Sequence, residues 1–379
     1  MAPLLRALTR RSDLVLRQFA TTSTRMMTIP ETQMAQVYDR YHGPLYYQEI
    51  PVPKPGPLDI LVNVKYTGVC HTDLHVWEGD FADQVKVEFP MVGGHEGVGI
   101  VVAKGSQVDQ KFEIGDIAGI KWVNASCEQC EMCHRGYDQN CHEAQNSGLH
   151  VNGTFQQYAI VHAYEAPKLP QGIDMAKAAP ILCAGITMYR ALKDTNVGRG
   201  EWVAITGAGG GLGSIAIQYA LAMGMKVVAT DIGAERGTLC KKLGASHYVD
   251  AKGKHDHEVI DEMIELTSGG PHGVVHVAPV PTPFLHAARY VRTRGTIVMV
   301  SLPKDTPLGA DTVDVVVRAL TIRGSYVGNR EDADEAIDFF ARGAVETPIQ
   351  IRGLSELNGV FKDMDAGRLI GRVVLDNDK

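Results

Sequence analysis

Four cysteines fall in one short stretch, as Cys127-x2-Cys130-x2-Cys133-x7-Cys141. Thiolates suit zinc at ~2.3 Å, and four of them close a tetrahedral site with no open position. An iron–sulfur cluster also takes four cysteines, and the even C-x2-C-x2-C run leaves that alternative open. In a chain without a secretory signal, this spacing points to metal rather than to disulfides. Three further residues stand in unusual contexts. Cys70 lies in GVCHTDLH (68–75), His95 in GGHEGVG (93–99) and Cys183 in LCAGIT (182–187). Two thiolates and an imidazole with a free fourth position are the donor set of a catalytic zinc. They are far apart in sequence, so spacing alone is silent on whether they meet. A lone cysteine is usually structural, and Cys240, in a helical stretch, is read that way.

A second kind of chemistry is written around residue 207. The apolar strand WVAIT (202–206) runs into GAGGGLG (207–213), then a helical stretch (214–224), then the strand KVVATD (226–231). Gly207, Gly210, Gly211 and Gly213, with Leu212, form a turn that lets the backbone approach a pyrophosphate seated on the helix N-terminus. Asp231 follows Gly213 by eighteen residues, about where an acid binds the adenosine ribose. Its charge would repel the extra phosphate of NADP, so NAD is the expected cofactor. The strict G-x-G-x-x-G pattern is not met. The nearest frame is Ala208-x-Gly210-Gly211-x-Gly213.

The elements that must position these residues change character along the chain. Before residue 180 the pattern is β-rich. ILVNVKYTGV (60–69), VGIVVAKG (98–105) and IGDIAGI (114–120) read as strands, while IPVPKPGP (50–57) is too rich in proline for regular structure. Beyond it, strands alternate with helices, and GVVHVA (273–278) and GTIVMVS (295–301) are further buried strands. This alternation means a doubly wound parallel sheet. The tail holds a helix (332–341) and a last strand (372–375).

Composition bounds the rest. The chain has 379 residues, 45% hydrophobic and 21% charged, which suits a globular protein of two domains. A net charge of −7 argues against nucleic acid. No uncharged apolar run reaches the ~18 residues of a membrane span. The first 27 residues differ, with Arg6, Arg10, Arg11, Arg17 and Arg25 against one acid, Asp13. Arginines interspersed with Leu, Ser and Thr are the composition of a mitochondrial transit peptide, which implies the matrix. A disordered basic tail is the plainer alternative.

Taken together, VCHTDLH, GGHEGVG, the four-cysteine loop, GTFQQY (153–158), APILCAGIT (179–187), SYVGNR (325–330) and GRVV (371–374) resemble the zinc-containing medium-chain alcohol dehydrogenases. The likeness is strongest to the fungal and yeast tetrameric type in its mitochondrial form, and runs from about residue 28 to the C-terminus. It implies an α/β chain with a GroES-like β-rich catalytic domain (28–183, completed by 327–379) and a Rossmann domain (184–326). It implies a homotetramer with two zincs per chain and NAD. The expected reaction is oxidation of short primary alcohols to aldehydes, and its reverse, by hydride transfer.

The resemblance also assigns roles. Cys70, His95 and Cys183 match catalytic zinc ligands, with Asp73 and Glu96 the acids beside them. Cys127, Cys130, Cys133 and Cys141 match a structural zinc site. Thr72 matches the hydroxyl that hydrogen-bonds the substrate oxygen, and His75 the end of the proton relay that follows through the cofactor ribose. His71 and Arg372 match pyrophosphate contacts, Asp231 and Arg236 the adenosine ribose, and Val300 and Leu302 further cofactor contacts. Phe81, where yeast enzymes carry tryptophan, and Trp122 match the walls of the substrate pocket. Ser301 in place of a glycine, and APVPTP (278–283), depart from the yeast pattern near the coenzyme. A polyol or formaldehyde dehydrogenase would share both zinc motifs and differ in the pocket. A non-catalytic scaffold need not keep Thr72 and His75.

Overall fold

The computed structural model describes residues 28–302, 310–369 and 371–379. The basic segment 1–27 lies outside them, so the transit-peptide reading does too.

The second half builds a six-stranded, all-parallel sheet. Its order across the sheet is His247–Asp250, Lys226–Asp231, Trp202–Thr206, Gly273–His276, Thr296–Met299 and Thr321–Gly324. Helices cover both faces, so its strands are apolar on both sides: Val203, Ala204 and Ile205 are all fully buried. Val203 and Ile205 pack into one core and Ala204 into another. Strand order reverses between Trp202–Thr206 and Gly273–His276, and a crevice for a ligand opens at the carboxyl ends of strands at such a switch point.

The first half and the tail share a seven-stranded sheet. Asp59–Val69 lies at its centre, antiparallel to Gly97–Lys104, Tyr158–His162 and the last strand, Arg372–Asp376. Ile349–Gly353 adds alongside that last strand in parallel. The tail thus returns to the first half, as the resemblance implies. A smaller sheet joins Thr32–Tyr38 to Tyr46–Pro51 and Met91–Val92.

Several local expectations need correction. Ile50 and Pro51, expected in irregular chain, end the Tyr46–Pro51 strand. That strand pairs on one side only, where a missing N–H is tolerated. The strand expected over 114–120 begins at Ile117, because the backbone turns at Gly115 (φ 98°) and leaves Ile114 exposed. The strands expected over 273–278 and 295–301 end at His276 and Met299. The tail helix starts earlier, at Arg330, capped by Asn329. The proline-rich 278–283 stretch is no mere loop, since Pro281 caps a helix, Thr282–Tyr290. Among the described residues, no helix is long and apolar enough to cross a membrane.

Candidate active site

Three segments of the first half converge on one cluster. Cys70 ends the central strand and caps the short helix His71–Glu78. His95 and Glu96 precede the Gly97–Lys104 strand, and Cys183 caps the helix Ala184–Asp194. Ligand atoms of Cys70, His95, Glu96 and Cys183 all lie within 4.8 Å of one another. Asp73 orders the cluster. One carboxylate oxygen meets His95 Nδ1 at 2.7 Å, and the other accepts the Cys70 N–H at 2.9 Å. The first contact takes the Nδ1 proton and aims Nε2 at the sulfurs, 3.2 Å from Cys183 Sγ.

The electrostatics are those of a crowded anionic site. A hydrogen bond from Cys183 makes Cys70 more acidic than an ordinary thiol, although burial opposes this. The same bond, with burial, makes Cys183 less acidic. Burial raises the Glu96 carboxyl to about 7, against the pull of Arg372. Gly68 lies opposite that carboxylate, and a Cβ there would stand 1.8 Å from Glu96 Oε2, so only glycine leaves room. Soft thiolates and an imidazole in a buried cluster fit zinc.

The four cysteines also meet. Cys127, Cys130, Cys133 and Cys141 place their sulfurs within 4.8 Å of each other. Sulfurs at ~2.3 Å from one tetrahedral ion stand about 3.8 Å apart. The Cys127–Cys133 and Cys130–Cys133 separations are 4.0 and 3.6 Å. A multi-iron cluster, with sulfides between its metals, needs a wider cage, so this loop fits a single zinc. Its surroundings clamp it. Asn329 donates to the Gly136 carbonyl at 2.7 Å, and Arg330 reaches Asp138 at 3.7 Å and Glu165 at 3.2 Å. Buried Glu165 also pairs with buried Lys121 at 2.7 Å.

The cofactor candidates gather at the carboxyl edge of the parallel sheet. The helix Gly211–Ala222 starts at Gly210 with no side-chain cap, which leaves its first N–H groups free for an anion. A Cβ on Gly213 would stand 2.4 Å from the Gly207 carbonyl, so the helix packs this close to the turn only with glycine there. Asp231 accepts N–H bonds from Gly209 at 2.8 Å and Ile232 at 2.7 Å, and pairs with Arg236 at 2.7 Å. Arg372 pairs with Glu96, and its Cδ would lie 3.3 Å from a Cβ on Gly211. Its buried Nε has no partner. An orphaned guanidinium N–H beside an uncapped helix start fits a phosphate group. Leu212 packs partly against the core in the first turn of that helix. Val300 donates its N–H to the His276 carbonyl at 3.1 Å. Leu302 is 81% exposed and projects from the core.

Thr72 Oγ1 lies 3.6 Å from Cys70 Sγ. His75 is one turn further along the same helix, with Nδ1 2.8 Å from Asp80. His71, at the head of that helix, has its pKa lowered by burial, and its ring lies 6.3 Å from that of His75. Trp122 meets the His95 ring edge-on at 5.0 Å, and Phe81 meets His75 at 6.2 Å. Both rings share one apolar cluster. Sequence reasoning missed three participants. Asp80 follows a glycine and has no motif. Gly209 sits in a run of glycines that hides which one binds Asp231. Tyr326, on the Trp122 indole, lies in the SYVGNR motif, which marks the segment but not the contact.

Two family models match the chain, the alcohol dehydrogenase GroES-like domain over residues 56–171 and the zinc-binding dehydrogenase over 211–342. Alcohol dehydrogenase 1 of Emericella nidulans is 52% identical over 351 residues, covering 92% of this chain and 99% of that protein. Alcohol dehydrogenase 1 of Neurospora crassa is 50% identical over 352 residues, covering 93% and 99%. The solved structure of acetophenone reductase from Geotrichum candidum in complex with NAD superposes with a TM-score of 0.78. It has 28% identity and covers 93% of this chain and 100% of that one. With half its residues shared over nine-tenths of its length, and with the GroES-like and Rossmann-type halves both present, the chain belongs to the zinc-binding alcohol dehydrogenase family.

Proposed function

We propose that the protein interconverts short primary alcohols and aldehydes with NAD, at the cleft between the two sheets. The observation that carries this is the meeting of Cys70, His95 and Cys183 beside Thr72, with Arg372 spanning from Glu96 to the uncapped helix. Cys70, His95 and Cys183 hold a catalytic zinc, and the four-cysteine loop holds a structural one. When bound, the catalytic metal supplies Lewis-acid polarisation of an oxygen, and NAD supplies the hydride acceptor.

The chain's own residues do the rest. Asp73 fixes the His95 ring, so Nε2 keeps its lone pair for the site. Thr72 Oγ1 accepts a hydrogen bond from the substrate hydroxyl and orients it. His75, one helical turn away and exposed, exchanges the released proton with water, its Nδ1 held by Asp80. Arg372, His71 and the glycine turn seat the pyrophosphate, Asp231 and Arg236 the ribose, and Val300 and Leu302 the nicotinamide side. Trp122 and Phe81 exclude water and narrow the pocket.

The direct test is reduction of NAD by purified protein with ethanol or propan-1-ol, alongside metal analysis. Two zincs per chain are expected. Turnover of propan-2-ol and cyclohexanol is expected to be far slower, since overpacking a site forces rotamers and backbone to move. A zinc-loaded protein that oxidises none of these alcohols overturns the reading.

Residues 1–27 we read as a matrix-targeting segment, on their five arginines and single acid. Fused to a fluorescent protein, they are expected to give a mitochondrial signal and to be removed. A uniformly cytosolic signal returns them to a basic tail. The family resemblance extends to a homotetramer, which sedimentation mass would report.

A further inference from the structure

Trp122 is held from across the cleft. It follows the Ile117–Ile120 strand of the antiparallel sheet, whereas Tyr326 lies just beyond Thr321–Gly324, the edge strand of the parallel one. The two are 204 positions apart, yet the indole N–H of Trp122 donates to the Tyr326 hydroxyl. Trp122 is only 7% exposed, so its N–H needs an internal partner. Tyr326 is 44% exposed and keeps one side open to water. On its other flank the Trp122 ring meets His95 edge-on, with planes at 78°. One contact touches the catalytic cluster and the other belongs to the opposite half of the molecule.

We propose that Tyr326 is a positioning residue that holds the Trp122 ring against His95 and so sets the largest alcohol the cleft admits. The proposal rests on Trp122 as a wall of the substrate pocket. An indole swings about two side-chain torsions, and packing alone leaves it neighbouring rotamers. The hydrogen bond selects one of them. Without the hydroxyl, a buried N–H has lost its partner, and the ring gains by tipping until water reaches it. Tipping moves the ring edge away from His95 and widens the space beside the metal ligands. Because donor and acceptor come from different halves, the narrow pocket exists only while the halves are apposed.

The test is Tyr326→Phe in the zinc-loaded full chain. The kcat/KM for butan-1-ol relative to ethanol is expected to rise about fivefold, the factor that one net hydrogen bond is worth. The change should be carried mainly by KM of the longer alcohol. A second readout is independent of activity. The chain has three tryptophans, so a nitrogen-15 spectrum shows three indole N–H signals, and Trp122→Phe identifies one of them. In Tyr326→Phe that signal should shift and exchange faster with solvent. An active protein whose alcohol ratio is unchanged, or whose Trp122 signal is unmoved, overturns the proposal. A wild type that oxidises no alcohol overturns the parent reading of the site and the proposal with it.

Discussion

Cys183→Ala is expected to abolish alcohol oxidation, by at least about a thousandfold, and to leave a folded chain with one zinc instead of two. A metal that stabilises developing charge is worth several kcal/mol at the transition state, and ~4 kcal/mol is about a thousandfold. The fold survives because the lost sulfur sits at the start of a helix whose first six residues are buried by their own packing. Removing one buried atom there costs far less than the ~2–5 kcal/mol of a Leu→Ala change. Cys130→Ala is expected to do the reverse. Its loop has little regular structure beyond the short helix Glu131–His134, so the metal's binding energy is its folding energy. That variant should lose the other zinc, melt several degrees lower and aggregate. Metal analysis, thermal unfolding and a single-alcohol assay separate the two. Equal structural damage from both changes would refute the division into a catalytic and a structural site.

A second large effect is expected at Asp231. Wild-type protein should use NAD far better than NADP, and Asp231→Ser should raise the NADP-to-NAD ratio of kcat/KM about a hundredfold. Two like charges at ~4 Å near a protein surface repel by about 4 kcal/mol before salt screens them. The substitution also frees Arg236, which now pairs with Asp231 at 2.7 Å, to meet the added phosphate. The geometry adds a complication. Asp231 also accepts the Gly209 N–H, so serine loosens the glycine turn and weakens both cofactors. Asp231→Asn separates the roles, since its amide oxygen still accepts that N–H while the charge is gone. It should improve the ratio with a smaller loss of NAD use. A wild type that uses both cofactors equally would show that Asp231 does not discriminate.

The four-cysteine motif and the cofactor turn were legible in the sequence because the first is local and the second is bracketed by apolar strands. The four-cysteine loop needs only one short stretch of chain, and Asp231 ends a strand marked by the apolar run Val227–Ala229. What was not legible has physical causes. The strand Thr32–Tyr38 shows no apolar alternation, because it buries Gln33 and Gln36. Their side-chain N–H groups reach remote partners, Gln156 for Gln33 and the Leu354 carbonyl for Gln36. The helix carrying Thr72 and His75 is eight residues long and buries only Asp73, Leu74 and Val76, too few for a helical stripe. The Glu96–Arg372 pair joins residues 276 apart, and nothing in local spacing announces it. Cys70, His95 and Cys183 could be nominated by context, but only the fold brings them within reach.

The strand Arg372–Asp376 has a consequence in time. It lies inside the seven-stranded sheet, between Asp59–Val69 and Ile349–Gly353, and a ribosome makes it after every other strand of that sheet. Asn377, just beyond it, is fully buried and ties the carbonyls of Thr154 and Gln156. Every strand of the parallel sheet is encoded between Trp202 and Gly324, so that half has its pairing partners in hand before Arg372–Asp376 is made. The half that gathers the metal ligands does not. Its central strand waits, with the Tyr66–Val69 part of one edge open, until Arg372–Asp376 is made. Arg372 arrives with the same segment, so Glu96 gains its counter-charge only then. Translation that stops before Arg372 would yield a coenzyme half with all its strands beside a cluster of thiols whose sheet is unclosed.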